Sequence, residues 1–178
     1  MTSWRSYLTV RGVLLPPPEV RRCPNPTELK RCESRLRTTL PNSYRGFCAE
    51  IGAGSLGDVD FIGPGTLPGR GFRKRDRLAE HVRLARRAMA DLDIGLELGR
   101  VVSFASTSEG DWFFWLLGEM SQPDPRIFLA SPDLESAVAC AENLEVFIDD
   151  VCLGSRLVDL GLYENQPPAI LREFMPVR

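Results

Sequence analysis

Carboxylates are the reactive side chains this sequence holds in quantity. Its C-terminal half carries Glu109, Asp111, Glu119, Asp124, Asp149 and Asp150. Two such groups at the right separation could hydrolyse a glycoside, one as acid and one as base or nucleophile, and hard oxygen ligands could hold magnesium. Nothing in their spacing selects a pair. His81 is the only histidine, so any Ser-His-Asp or Cys-His centre would have to use it. It falls inside a basic helical pattern, where a surface or boundary role is the simpler reading. Five cysteines, at 23, 32, 48, 140 and 152, include no C-x-x-C pair, and with one histidine a zinc set is not expected. No G-x-S-x-G, P-loop or H-E-x-x-H motif occurs. The expectation is a chain with no catalytic residues, no metal and no cofactor.

One stretch suggests otherwise. "IGAGSLG", Ile51 to Gly57, spells G-x-G-x-x-G. A dinucleotide site needs a strand before the first glycine and a helix after the last, so that a helix N-terminus meets the pyrophosphate. Here a helical pattern precedes, and "DVDFIGPG" follows as a short strand. The glycines are expected to turn the backbone between helix and sheet.

The surrounding pattern alternates helices with strands. Residues 1–24 read as an N-terminal arm, with "SYLTVRGVLL" open to strand or helix and "PPP" at 16–18 extended. Asn25, Pro26 and Glu28 form a helix start with a capping box, and Leu29, Cys32, Leu36 and Leu40 share one stripe with Lys30, Arg31, Arg35 and Arg37 mostly off it. Pro41 breaks that helix and opens another, with Tyr44, Phe47, Cys48 and Ile51 on one face and Gly52 as its stop. Over residues 73–92 a basic helix places Leu78, Val82, Ala85, Met89 and Leu92 inward. "RVVSFA" and "DWFFWLL" predict a hairpin around "TSEG", and "RIFLA" a further strand. "ESAVACAE" is open to either state. "NLEVFIDDVCLG" predicts a helix capped by Asn143 and ended by Gly154. Residues 155–178 read as a C-terminal extension over the surface.

Charge is unevenly spread. Residues 1–96 hold 17 Lys+Arg against 10 Asp+Glu, net +7, while residues 97–178 hold 5 against 14, net −9. The two halves could simply attract each other as solvated faces. Arg73–Arg87 holds seven Lys+Arg and two Asp+Glu, but no aromatics interleave, which argues against single-stranded nucleic acid as partner. No apolar run is long enough to span a membrane. The opening "MTSWRSYLTV" is too polar for a signal peptide, and unpaired thiols suit a reducing cytoplasm.

Three motifs in order carry a resemblance. "ELKRCESRLRTTLPNSYRGFCAEIGAG" ends a helix in Leu-Pro, adds a Tyr and a Phe, and closes on a glycine turn. The hairpin "FASTSEGDWFFWLL" follows, and the helix "NLEVFIDDVC" ends the run. Between Thr27 and Gly154 the chain resembles the SUKH superfamily of immunity and regulatory proteins. That resemblance implies an α+β fold over residues 25–154: one curved, mostly antiparallel sheet with helices packed around it. It marks Leu40, Pro41, Tyr44, Phe47 and Gly52 as fold-defining, and it carries no catalytic residues. It also implies a bacterial protein that acts by binding another protein, either a cognate toxin, often a nuclease, or a regulatory partner.

An inhibitor of a nuclease has to present acid to a basic, phosphate-binding cleft. The candidate contacts are Glu109, Asp111, Trp112, Asp124, Asp149 and Asp150. Trp112 reads equally as core, and Asp149 and Asp150 as plain solvated helix residues.

Overall fold

The computed structural model describes residues 3–65, 77–89, 100–132, 137–162 and 172–176. Helix α1 (Trp4–Val10) comes first, then α2 (Pro26–Leu36) and α3 (Asn42–Glu50). Strands β1 (Gly54–Leu56) and β2 (Val59–Phe61) make a tight hairpin, followed by α4 (Arg77–Met89). Strands β3 (Val101–Ser106), β4 (Trp112–Leu116), β5 (Ile127–Ala130) and β6 (Val138–Ala141) follow. Helix α5 (Leu144–Val146) runs into a π-helical turn, Phe147–Cys152, and then come α6 (Arg156–Asp159) and β7 (Phe174–Pro176). The strands form one seven-stranded sheet in the order β6-β5-β4-β3-β2-β1-β7, and every pairing between them is antiparallel. The α+β architecture implied by the motifs is the one observed.

Local chemistry explains the helix ends. The Asn25 side chain accepts from the backbone N–H of Thr27 and Glu28 at 3.0 Å each, and the Glu28 carboxylate accepts from Asn25 N–H at 3.0 Å. That reciprocal box satisfies donors the first turn leaves orphaned. Helix α2 stops before Leu40 because Arg37 turns left-handed (φ 56°) and Thr38 N–H reaches back to the Glu33 carbonyl. Leu40 still buries, at 1% exposure, one step beyond the helix that its stripe belongs to.

The Leu-Pro-x-x-Tyr motif acts through packing. Pro41 precedes the first residue of α3. Tyr44 is fully buried, donates its hydroxyl to the Ile62 carbonyl at 2.5 Å, and meets Phe104 and Trp115 edge-on. Phe47 lies 4.7 Å from Phe61. Phe104 and Trp115 stack at 3.9 Å, and Phe147 closes the cluster against Phe61, Phe104 and Phe113. Rings in such offset and edge-on pairs add to the stabilisation that their buried area already supplies.

Both ends of the chain join this core. Trp4, Tyr7, Leu8 and Val13 are buried in it, and Trp4 Nε1 donates to the Ser43 carbonyl at 2.9 Å. Phe174 is buried against Phe47, and its N–H bonds the Leu14 carbonyl at 2.9 Å. Where the sequence read as a surface extension, three residues instead extend the sheet beyond β1, because Phe174 has an apolar site to fill. Leu92 and residues 163–171 lie outside the described residues.

The glycines of "IGAGSLG" are structural. Gly52 has φ 90°, and a Cβ there would meet the Arg22 carbonyl at 2.8 Å. Gly54 lets β7 approach: a Cβ would fall 2.4 Å from the Met175 carbonyl and 2.6 Å from the Phe174 ring. A helix precedes them and a hairpin follows, so no helix N-terminus is offered to a phosphate.

The opposite face of the sheet is covered by α4. Ala85 and Met89 pack there with Val101, Phe114 and Ala130.

Candidate functional site

The predicted contact residues fall on three elements. Glu109, Asp111 and Trp112 belong to the β3–β4 hairpin. Its turn is set by Gly110 (φ 101°) and by Asp111, whose carboxylate accepts the Thr107 hydroxyl at 2.6 Å while its N–H donates to Thr107 Oγ1. Asp111 is therefore inside the turn, at 3% exposure, and Glu109 is exposed at the tip. Trp112 is half-buried on the α4 side, its ring 4.9 Å from the His81 ring.

Asp124 lies exposed in the β4–β5 connection. That connection leaves the far end of β4 from the hairpin tip, and five strand residues separate the two by roughly 15 Å or more. Asp149 and Asp150 occupy the π-helical turn. Asp150 is exposed. Asp149 holds a two-pronged ion pair with Arg11, through Nε and, at 2.6 Å, through Nη2. The Arg11 guanidinium also lies 3.4 Å over the Tyr7 ring, and the Tyr7 hydroxyl donates to the Glu145 carbonyl at 3.0 Å. Asp149 thus ties the π-helical turn to the end of α1, and Arg172, just ahead of β7, joins them by donating to the Arg11 carbonyl at 2.6 Å. Glu119, also noted in the sequence, forks onto Arg126 at 2.6 and 3.2 Å.

The helix "NLEVFIDDVC" keeps its apolar stripe inward: Leu144, Phe147, Ile148, Val151 and Cys152 are all buried. Its winding differs from the expected α-helix, with Leu153 N–H bonding the Ile148 carbonyl at 3.0 Å. A π turn has more residues per turn, which narrows the arc occupied by the two inward pairs, 147–148 and 151–152.

The nucleophile candidates are enclosed. His81 Nε2 lies 3.1 Å from Ser103 Oγ, the one His–Ser pairing of the kind a hydrolase would use. Ser103, however, has no exposed surface, and its hydroxyl donates to the Phe113 carbonyl at 2.9 Å. Burial pushes the His81 imidazole down to about 4, against the pull of the Ala105 carbonyl and the Asp60 charge. Burial also pushes the Cys48 and Cys140 thiols up to about 12 and the Cys152 thiol well above its usual range, so none offers a thiolate. Among the described residues, no three His, Cys, Asp or Glu side chains are placed to hold a metal ion, and no helix is long and apolar enough to cross a membrane.

One feature was only half visible in sequence. The basic outer face of α4 meets the basic end of α2 across a cleft of about 450 Å³, lined by Arg35, Leu36, Arg37, Ala79, Val82, Arg83 and Arg86. The arginines off each helix's apolar stripe were the signal. That the two helices would be neighbours was not readable from either pattern.

Comparison with curated proteins gave no match. Among solved structures, the chain is similar to a protein from Pseudomonas syringae pv. tomato, with 14% identity, a TM-score of 0.54, and coverage of 84% of this chain and 98% of that one. At that identity the likeness speaks for the fold. The family model described as SMI1-KNR4 cell-wall (SUKH_6) matches residues 26–148. That span runs from the first residue of α2 into the π-helical turn and takes in the Leu-Pro-x-x-Tyr motif, the glycine turn and the hairpin, so the chain belongs to the SUKH superfamily.

Proposed function

We propose that this chain is a non-enzymatic, bacterial, cytoplasmic protein-binding module that neutralises a cognate toxin, of nuclease type, by occupying its basic cleft. The observation that carries this reading is the partition of reactive groups. The serine beside the histidine and four of the five cysteines are sealed in the core, whereas Glu109, Asp124 and Asp150 are exposed. A surface so divided suits recognition better than bond-breaking. In this reading Glu109, Asp124 and Asp150 meet the partner, and Trp112 supplies an aromatic edge beside the hairpin tip. Asp111 and Asp149 set the shapes of the hairpin turn and the π-helical turn that present them. Membership of a superfamily that includes immunity proteins supports the same reading.

The test is affinity capture from the native host, followed by an assay of what is captured. A stoichiometric partner whose nuclease or other toxic activity falls to background when this chain is added supports the proposal. Recovery of a housekeeping regulator with no toxic activity would instead establish a regulatory scaffold and overturn the toxin reading.

A further inference from the structure

The cleft between α2 and α4 has a composition the toxin reading does not use. Four arginines, Arg35, Arg37, Arg83 and Arg86, line it together with the apolar Leu36, Ala79 and Val82. Among the described residues, no acidic side chain and no aromatic ring lines it. Glu80, which is not among the lining residues, forks onto Arg83 at 2.7 and 3.1 Å. Arg86 is fixed in place by two bonds to the Val101 carbonyl, at 2.8 and 3.0 Å.

Arg37 adds an independent observation. It is the only non-glycine residue with positive φ among the described residues. At this position, just past a helix end, glycine is the unstrained residue and an arginine carries a conformational cost. The backbone needs no side chain there, and the side chain that is present lines the cleft.

We propose that this cleft is a second docking site, of opposite sign to the acidic surface, and that it takes an acidic peptide segment of a protein partner with apolar residues between its carboxylates. Guanidiniums bind carboxylates through paired, planar hydrogen bonds. The apolar residues that line the cleft with them give a leucine-sized side chain somewhere to bury. Nucleic acid fits less well, because the described lining residues include no ring on which bases could stack. The volume matches one or two side chains rather than a duplex.

Fluorescence anisotropy tests this on the full chain. The probe is a short fluorescein-labelled peptide of alternating Glu, Asp and Leu. Its comparators are a Glu-only peptide, a single-stranded oligonucleotide and inorganic polyphosphate, all at low salt. The expected result is saturable binding of the Leu-containing peptide, tighter than any comparator and weakened by salt. Arg37→Gly combined with Arg83→Gln should weaken it by about tenfold or more, the sum of two partly exposed charge contacts. Both changes are compatible with the fold, since glycine suits φ 56° and the Arg83 side chain is 55% exposed. Far-UV circular dichroism of the variant confirms that. The proposal is overturned if the peptide does not bind, if the double variant binds it equally well, or if the Glu-only peptide does. Tighter binding of the oligonucleotide or polyphosphate would make the cleft a phosphate reader and overturn it too.

Discussion

His81 illustrates how one residue can look chemical and be structural. Its ring rests near Trp112, and its Nε2 faces Ser103. Because the Ser103 hydroxyl hydrogen goes to the Phe113 carbonyl, the serine oxygen is left to accept, so the neutral imidazole carries its proton on Nε2. Burial holds the folded-state pKa at about 4, below the roughly 6.5 of an unfolded chain. Between those values the unfolded state binds the extra proton, so stability rises with pH across that window and is lost as the pH falls through it. The full effect is on the order of 3 kcal/mol. Since no other histidine is present, its ring protons can be followed by NMR without assignment, and the titration midpoint should fall well below pH 5. A midpoint near 6.5 would show a solvated ring. Replacing His81 with Phe should keep the contact with Trp112 and flatten the loss of urea resistance between pH 6.5 and pH 4.5.

At the scale of elements, the terminal segments are as deeply built in as the middle of the chain. Leu8 in α1 has no exposed surface, so Leu8→Ala should cost about 2–5 kcal/mol, visible as a lower urea midpoint with unchanged slope. A cost near zero would show α1 to be a detachable arm. Gly54→Ala tests the other end. Its new methyl would collide with the backbone and ring of β7, so either β7 detaches or β1 shifts, and hydrogen exchange at Phe174 N–H should accelerate while that at Phe104 does not. Periodicity alone reveals α2, α3, the β3–β4 hairpin and the helical run Leu144–Cys152, because each is an amphipathic or alternating run long enough to show its period. The strands β1 and β7 span three residues each, too short for any period. Their existence depends on Gly54 permitting close approach and on Phe174 finding Phe47, both long-range facts. The same limit applied to the contact residues: exposure of Glu109 and Asp150 followed from turn and helix position, while the sealing of Asp111 by Thr107 and the tethering of Asp149 by Arg11 required the folded chain.

At the scale of the molecule, charge is unevenly placed. Arg35, Arg37, Arg83 and Arg86 of the first half line one cleft, while Glu109, Asp124 and Asp150 stand exposed on elements of the second half. With a net charge of only −2, the chain has little overall field, so any electrostatic steering of a basic partner must come from individual exposed acids such as these. Exposed charges act mainly on the rate of encounter, whereas buried contacts act on the lifetime of the complex. For the captured partner, the association rate should fall as salt is raised past about 0.1 M, where screening shortens to about 10 Å. Glu109→Lys with Asp150→Lys should slow association about tenfold and leave dissociation nearly unchanged. Asp111→Asn should do the reverse, because its carboxylate meets Thr107 rather than solvent, and a loosened hairpin shortens the complex without weakening attraction at a distance. Stopped-flow rates for the two variants across a salt series separate these outcomes. If charge reversal at Glu109 and Asp150 left the association rate untouched at low salt, the acidic surface would have no part in bringing the partner in.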